Sequence, residues 1–425
     1  MINQIENSPM KMAQYLTIFV CFLMNCLDGM DVMIITYTAP AIAGDWNISP
    51  ANLGIVFSSG LIGMTVGAVL IAPYADYIGR KKIMILAALL MASCIYVTTL
   101  TNTINELIAV RFISGLGIGA MLASTTALTA EYTQAKYRDF FVNCVIAGYP
   151  VGAVLSGFAS AKIIQEDGWR SMYEVAGIIT LLAIPIIYLL LDESLDYLLN
   201  NQPKNALEKA NKILVKLGIK EMDSLPVVDQ DKKVPIKMST LMNAEYKPNT
   251  IKLWTSLFLA FSTLYFLTNW IPKLVVNAGV SEENAIYAGT IFNLGAIFGI
   301  PLQALLSRKI GLNKSIGSIL IATSAMMVLF KLFFGSDWVL FAYFLLGFGI
   351  QGGFVGLYAV AARLYPTRIR ATGVGWAIGM GRLGGILGPI LGGILITIGL
   401  SMVESFWAFA IPTFAAGFST LKIKL

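Results

Sequence analysis

Two aspartates lie three residues apart in the apolar stretch NCLDGMDVMII, residues 25–35. Side chains at this spacing project from one face of a helix, so Asp28 and Asp31 are predicted to be neighbours. Loss of water favours the protonated form of a carboxylic acid, and a second carboxylate nearby strengthens that preference. The pair is therefore predicted to bind and release protons as a coupled site. The structural alternative is that one aspartate caps a helix break at Gly29 or pairs with an arginine.

Two arginines in apolar segments are candidates for binding an anion. Arg382, in GMGRLGG, is predicted near the middle of its span, where the surrounding glycines leave room for a ligand. Its flat guanidinium suits an organic carboxylate, and a salt bridge to Asp28 or Asp31 is the alternative. Arg111 lies at the outer start of another span. Three roles are predicted as alternatives: it guides anions, it couples to an acidic group of the first span, or its side chain reaches the outer surface.

Aromatic and amide side chains recur in the apolar segments and are candidates for a pocket that accepts a ring. Aromatic side chains favour offset or edge contacts with a ring. The alternative for each is simple packing or a place at the membrane interface. The candidates are Tyr37, Tyr149, Phe266, Asn269, Trp270, Phe292, Asn293, Gln351, Tyr358 and Trp376.

The composition excludes several kinds of site. The chain has no histidine, and its four cysteines form no CxxC pair. No metal site, cofactor or disulfide is predicted, and the absence of a nucleophile and base argues against an enzyme. Without histidine, proton handling near neutral pH is assigned to carboxylates.

These residues must be positioned by membrane-spanning helices. The 425 residues are 57% hydrophobic and 13% charged, against about 25% charged in soluble domains. Twelve apolar segments are each long enough to cross a bilayer. The fold class predicted is an all-α polytopic membrane protein, with a six-helix bundle over 1–192, a linker over 193–250 containing a short amphipathic helix, and a second six-helix bundle over 251–425.

Basic residues are concentrated in the loops on one side and in the linker. This bias predicts that both termini and the linker are cytoplasmic, and that the chain crosses the cytoplasmic (inner) membrane many times. The start, MINQIENSPMKM, has no pattern of a cleaved signal peptide. The charge is explained by topology in the lipid bilayer, so no nucleic-acid partner is predicted.

The chain also contains an internal repeat. GAVLIAPYADYIGRKK begins at Gly67 and GAIFGIPLQALLSRKI begins at Gly295, an offset of 228. Two pseudo-symmetric halves of six spans are typical of a transporter whose site lies near the midplane between the halves.

The loop APYADYIGRKK, residues 72–82, resembles the loop between spans two and three of the major facilitator superfamily. The fitting residues are Asp76, Gly79, Arg80 and Lys81, whereas Ala72 replaces the usual first glycine. The resemblance implies the major facilitator fold and a conformational switch of ion pairs at this loop. Glu131 ends the fourth span and is predicted to join the switch by pairing with Arg138 or Arg370, with a direct proton role as the alternative.

Four segments resemble the aromatic acid:proton symporter family within that superfamily. DGMDVMIITYTAPAIAGDWNIS is similar to its first span, RFISGLGIGA to its fourth, YPTRIRATGVGWAIGMGRLGGILGPILGG to its eleventh, and DESLDYLL to the element after its sixth. The resemblance implies proton-coupled import of a small aromatic carboxylate of the benzoate or hydroxybenzoate class, with alternating access in a monomer. The alternative is that the chain transports muconate or another organic dicarboxylate with protons. A proton-driven exporter is less favoured because span five lacks the Gly-Pro element of exporters.

Overall fold

The computed structural model describes residues 10–226 and 238–424. Most of the N-terminal stretch that lacks a signal-peptide pattern, residues 1–9, and part of the predicted linker, residues 227–237, lie outside the described residues. Within the described ranges the chain forms helices and no strands. This agrees with the predicted all-α class.

Twelve long helices follow the twelve predicted spans. They are α1 Met12–Asp45, α2 Pro50–Ile78, α3 Arg80–Thr98, α4 Ile104–Tyr132, α5 Phe140–Asp167, α6 Trp169–Leu190, α7 Lys247–Asn277, α8 Glu282–Ile310, α9 Leu312–Leu332, α10 Val339–Leu364, α11 Thr367–Thr397 and α12 Met402–Leu421. In the described part of the chain, eleven of these are long and apolar enough to cross a membrane. The remaining one, α12, has 20 residues, which give the roughly 30 Å that a bilayer core requires.

Two shorter helices follow α6 in the predicted linker. Leu195–Asn201 begins at Ser194, whose hydroxyl accepts a hydrogen bond from the Tyr197 amide at 3.0 Å. Ala206–Lys216 buries Ala206, Ala210, Ile213 and Leu214, a spacing that places one apolar stripe against the protein. The short amphipathic helix predicted from the sequence is therefore present.

The helices group into two compact units. Within the described ranges, the first unit contains residues 10–32, 62–152 and 170–226, and the second contains residues 33–61, 153–169 and 238–424. This grouping by contact differs from the order of the chain, because parts of α1, α2 and α5 belong with the C-terminal sequence. The division into two six-helix bundles at 192 and 251 stays a prediction.

Close packing of α1 and α5 in the first unit depends on glycine. The carbonyl oxygen of Cys26 occupies the place where a side chain on Gly152 would begin, and that of Tyr149 does the same at Gly29. Small residues allow helices in a membrane to approach this closely. The approach fixes the part of α1 that carries the two aspartates.

In the second unit, the start of α2 packs against the end of α11. The Ser58 hydroxyl donates to the Ile386 carbonyl at 2.7 Å, and the Ala51 amide donates to the Thr397 hydroxyl at 3.1 Å. Gly54 lies against the Pro389 carbonyl, with no room for a side chain. These contacts join the first part of α2 to the second half of α11.

Candidate functional site

A buried ion pair joins α1 and α4 in the first unit. One guanidinium nitrogen of Arg111 donates to the Asp31 carboxylate at 2.6 Å, and the other donates to the Asp31 carbonyl at 3.0 Å. The Ser114 hydroxyl donates to the second carboxylate oxygen. Asp31 is 0% exposed and Arg111 3%. A buried charge needs such compensation, because removing one partner of a buried pair costs about 3–5 kcal/mol.

The sequence of α4 brings both donors to this site. Arg111 and Ser114 are three residues apart and share a face. The helix begins at a capping box in which Thr103 and Glu106 each bond to the other's backbone amide, so Arg111 lies two turns inside it. Of the three interpretations of Arg111, coupling to an acidic group of the first span is the one found here.

Asp28 belongs to a buried polar stripe on α1. Asn25, three residues before it, donates to the Thr125 hydroxyl of α4 at 3.0 Å, and Asp31, three residues after it, contacts α4 as described. Asp28 itself is 1% exposed. The stripe therefore places two carboxylic acids and an amide, one turn apart, inside the first unit.

A second charge cluster surrounds the turn between α2 and α3. Arg80 pairs with Asp76 at 3.5 Å and with the Glu131 carboxylate at the end of α4. Glu131 also accepts a hydrogen bond from the Ser194 hydroxyl at 2.7 Å. Glu131 therefore pairs with Arg80, whereas the Nε of Arg138 donates to the Ala130 carbonyl at 3.0 Å.

Gly79 and Lys81 are bound by the segment that follows α6. Glu193 accepts a hydrogen bond from the Lys81 amide at 3.0 Å, and its carboxylate lies where a side chain on Gly79 would be. Gly79 has φ +106°, a conformation that favours glycine. Glu193 and Ser194 were not predicted as members of this cluster, although the DESLDYLL segment was a signal for them.

Arg382 occupies the middle of α11 in the second unit. The helix has 31 residues, and the half-buried Arg382 is close to its centre. Among the described residues of this unit, no carboxylate pairs with it. Tyr358 of α10 lies within electrostatic range of the guanidinium. Exposing a charge to lipid at this depth is costly, so a polar or anionic partner is expected beside it.

Aromatic rings from α7 and α10 lie beside this part of α11. Phe261 and Phe354 form an edge contact with ring centroids 4.4 Å apart, and Phe354 and Tyr358 form another at 5.2 Å. Tyr265 stacks on Phe261 at 6.0 Å. We refer to Phe261, Tyr265, Phe354 and Tyr358 as the aromatic cluster. Only Tyr358 of these four was among the residues predicted from the sequence.

Two predicted pocket residues use their polar groups in packing. The Tyr37 hydroxyl donates to the Ala153 carbonyl and the Trp270 indole donates to the Pro389 carbonyl, both at 2.9 Å. Phe266 and Phe292 are fully buried. These four side chains build the core of the second unit in this structure.

The predicted amides form a polar group within the second unit. Gln351 donates to the Asn293 side chain at 3.4 Å, and the Thr36 hydroxyl donates to the Asn269 side chain at 3.2 Å. Gln351 precedes Tyr358 by seven residues, so the two share a face of α10. The amides therefore flank the side of α10 that carries part of the aromatic cluster.

The last two predicted pocket residues lie elsewhere. Trp376 is 42% exposed and stacks on Trp254 at 6.3 Å. Tyr149 is half-buried on α5 of the first unit, where its carbonyl packs against Gly29. Neither residue belongs to the aromatic cluster.

The chain is similar to known membrane transporters along nearly its full length. The model of the Major Facilitator Superfamily matches residues 21–389. A gallate transporter of Pseudomonas putida is 31% identical over 98% of this chain and 93% of its own, and the 4-hydroxybenzoate transporter PcaK of the same organism is 30% identical over 96% and 92%. The solved inward-open structure of the Escherichia coli xylose transporter XylE superposes with a TM-score of 0.74 at 17% identity, over 97% of this chain and 96% of that one.

Proposed function

The chain belongs to the Major Facilitator Superfamily and, within it, to the aromatic acid:proton symporter family, and on this premise we propose that it imports a small aromatic carboxylate together with protons. It is a multi-pass membrane protein. Its relatives are named as transporters, so the prediction that it is not an enzyme is confirmed. The proposal extends to the inner membrane, to cytoplasmic termini and to function as a monomer.

The observation that carries the proposal is the position of Arg382. Every carboxylate of the second unit lies at a helix end or in a turn, and these residues are Asp45, Glu166, Asp167, Glu245, Glu282, Glu283, Asp337 and Glu404. Among the described residues of that unit, the guanidinium in the middle of α11 therefore has no carboxylate beside it. An organic carboxylate supplies the missing charge through paired hydrogen bonds.

The proposed proton site is the stripe of Asp28 and Asp31. When Asp31 is ionised, its charge is balanced by Arg111. Protonation of Asp31 removes that balance, so proton binding and ion pairing at Asp31 exclude each other. A proton can therefore control the contact between α1 and α4, which is the kind of two-state element that alternating access requires.

The proposed conformational switch is the cluster around the α2–α3 turn. Arg80 joins Asp76 to Glu131, and Glu193 joins the same turn to the segment after α6. Motion of α4 relative to the turn must break the Arg80–Glu131 pair. The cluster therefore stabilises one state of the carrier and is released in the other.

Counterflow in proteoliposomes tests the substrate class. Vesicles containing purified protein are loaded with unlabelled 4-hydroxybenzoate and diluted into a trace of the labelled compound. We expect transient accumulation of label above the level of protein-free vesicles, because a carrier exchanges bound substrate without net driving force. Accumulation with loaded xylose or an amino acid, and none with any benzoate, contradicts the proposed substrate class.

A further inference from the structure

A wide groove lies in the first unit, where the linker meets the start of α3 and the end of α6. We propose that this groove binds the headgroup of an anionic phospholipid, with the acyl chains of the lipid lying along α3 and α6. Neither the two aspartates of α1 nor Arg382 lines the groove. The proposal therefore adds a lipid site to the protein and does not depend on the transported substrate.

The groove is large enough for a phospholipid headgroup. Its volume is about 1070 Å³, whereas pockets for small ligands measure roughly 300–1,000 Å³. Apolar side chains such as Ile85, Leu198 and Ile213 line it together with Tyr188 and Tyr197. Its lysines are Lys81, Lys82, Lys209, Lys212 and Lys216. This mixture of cations and apolar surface suits an amphiphilic anion.

Two of the five lysines are paired with two of the four carboxylates that line the groove. Lys216 pairs with Asp192 at 2.6 Å, and Lys212 pairs with Glu208 at 2.7 Å. The first pair connects the linker helix Ala206–Lys216 to the segment directly after α6. These pairs build the wall of the groove and leave other lysines for a ligand.

Lys82 and Lys209 are the cations available to an anion. Both are exposed, and neither has a carboxylate oxygen within 4 Å among the described residues. Lys82 belongs to α3 and Lys209 to the linker helix, so they line the groove from different walls. Glu193 accepts a hydrogen bond from the Lys81 amide at 3.0 Å, and Glu221 is the fourth carboxylate. A phosphodiester, whose charge is shared by two oxygens, can accept hydrogen bonds from both free lysines.

α3 and α6 are neighbours in the membrane. The Lys81 ammonium donates to the Tyr188 carbonyl at 2.8 Å, next to the groove. Further along, a Cβ atom added at Gly177 would lie 3.3 Å from Tyr96. The two helices therefore form a continuous surface that leads away from the groove.

Exposed leucines extend along both helices. Leu86 and Leu89 follow Lys82 at spacings of four and three residues, so the three residues share a face of α3. Leu182 and Leu189, seven residues apart, share a face of α6. Apolar side chains exposed on a membrane-spanning helix are covered by lipid. An acyl chain that covers the leucines of α3 therefore brings its phosphate to the lysine end of the same face.

A lipid accounts for more of this arrangement than a soluble phosphate does. A soluble anion would contact the lysines alone, whereas a phospholipid also covers the leucines. Basic pockets at the cytoplasmic ends of membrane helices are typical sites for anionic headgroups. The charge bias of the loops predicts that these ends of α3 and α6 are cytoplasmic.

Native mass spectrometry of the purified full chain in detergent tests the site. The probes are phosphatidylglycerol, phosphatidylcholine with the same acyl chains, and glycerol 1-phosphate. We expect the wild type to bind phosphatidylglycerol about thirtyfold more tightly than phosphatidylcholine, because each of two lysines contributes about fivefold toward an anionic lipid. Glycerol 1-phosphate at the concentration of the lipid is expected not to displace it.

The variant Lys82→Gln with Lys209→Gln is expected to lose this preference, while its affinity for phosphatidylcholine is unchanged. Lys204→Gln with Lys220→Gln is the matched control, since it removes the same charge from exposed linker positions that do not line the groove. The control is expected to bind both lipids like the wild type. If the first double variant does not fold, each single variant is expected to lose about fivefold in affinity for phosphatidylglycerol.

Three results would overturn the proposal. The first is a wild type that binds the two lipids equally, or a Lys82→Gln, Lys209→Gln protein that keeps the preference. The second is an equal loss of preference in the Lys204→Gln, Lys220→Gln control, which would indicate a general effect of charge. The third is displacement of phosphatidylglycerol by glycerol 1-phosphate, which would assign the lysines to a soluble phosphate.

Discussion

Replacing Arg382 by glutamine is expected to weaken binding of 4-hydroxybenzoate by about thirtyfold to several thousandfold, which corresponds to roughly 2–5 kcal/mol for loss of one partner of a buried charge pair. The reason is that this guanidinium is the cation placed in the middle of a span of the second unit, with open space on its helix face. The measurement is the calorimetric dissociation constant of the purified protein.

Two further variants make the Arg382 result specific. Arg382→Lys keeps the charge but loses the paired donors, so its affinity is expected to fall between those of wild type and Arg382→Gln. Lys331→Gln removes an exposed cation and is expected to bind like the wild type. Equal affinity in wild type and Arg382→Gln would show that the substrate carboxylate binds elsewhere.

Thermal stability separates a ligand-binding arginine from a structural one. Among the described residues of the second unit, no carboxylate depends on Arg382, so Arg382→Gln is expected to melt at or above the wild-type temperature. Removing from a membrane span a charge that no described carboxylate of its unit balances relieves part of a desolvation cost. A melting temperature several degrees lower would instead indicate an ion pair within the protein.

Replacing Asp31 by asparagine is expected to lower the melting temperature, in contrast to Arg382→Gln. The change leaves the buried Arg111 without its counter-ion, at a cost of about 3–5 kcal/mol. Arg111→Gln is expected to be destabilising in turn, whereas Asp31→Asn with Arg111→Gln recovers most of the loss because both charges are gone. The coupling in this double-mutant cycle is the measured quantity.

The partly exposed pair between Lys216 and Asp192 at 2.6 Å is the matched control for the cycle. Exposed pairs contribute about 0–1 kcal/mol, so Asp192→Asn is expected to change the melting temperature little. In transport, Asp31→Asn is expected to lose proton-driven accumulation, also in the stabilised double variant. If Asp28→Asn and Asp31→Asn both still concentrate substrate, the two aspartates are structural.

Much of the site could be predicted from residue type and spacing. Asp31 and Arg111 are ionisable residues in apolar spans, and the cost of placing charge at that depth identifies them from the sequence alone. Their pairing was one of three interpretations of Arg111. Ser114, the second donor to Asp31, was not identified, although its spacing of three from Arg111 places it on the same face.

The aromatic cluster could not be found in the same way. Phe261 and Phe354 are ordinary apolar residues of a membrane span, and 23 phenylalanines occur in the chain. What distinguishes these two is their packing beside Gly381 and Tyr358, which is set by contacts between distant segments. Trp270 is the opposite case. Its polar aromatic side chain is a pocket candidate by residue type, but in the structure it packs in the core.

The grouping of helices also lies beyond the sequence pattern. Residues 33–61 and 153–169 belong by contact with the C-terminal part of the chain. The spans and the repeat can be read from the sequence and are the same in every conformation of a carrier. They therefore do not indicate which helix ends are in contact in one particular conformation. The turn at Gly79 is a contrasting case. The sequence motif has a glycine at this position, and the φ of +106° is a conformation that favours glycine.

The initial rate of labelled 4-hydroxybenzoate uptake into proteoliposomes, with and without an imposed pH gradient, tests the central claim most directly. Protein-free liposomes correct for the passive entry of the neutral acid. The account predicts that the protein-dependent rate rises when the outside is more acidic and returns to the rate without a gradient when a protonophore is added. A protein-dependent rate that is the same with the gradient present, absent or collapsed would contradict proton-coupled import.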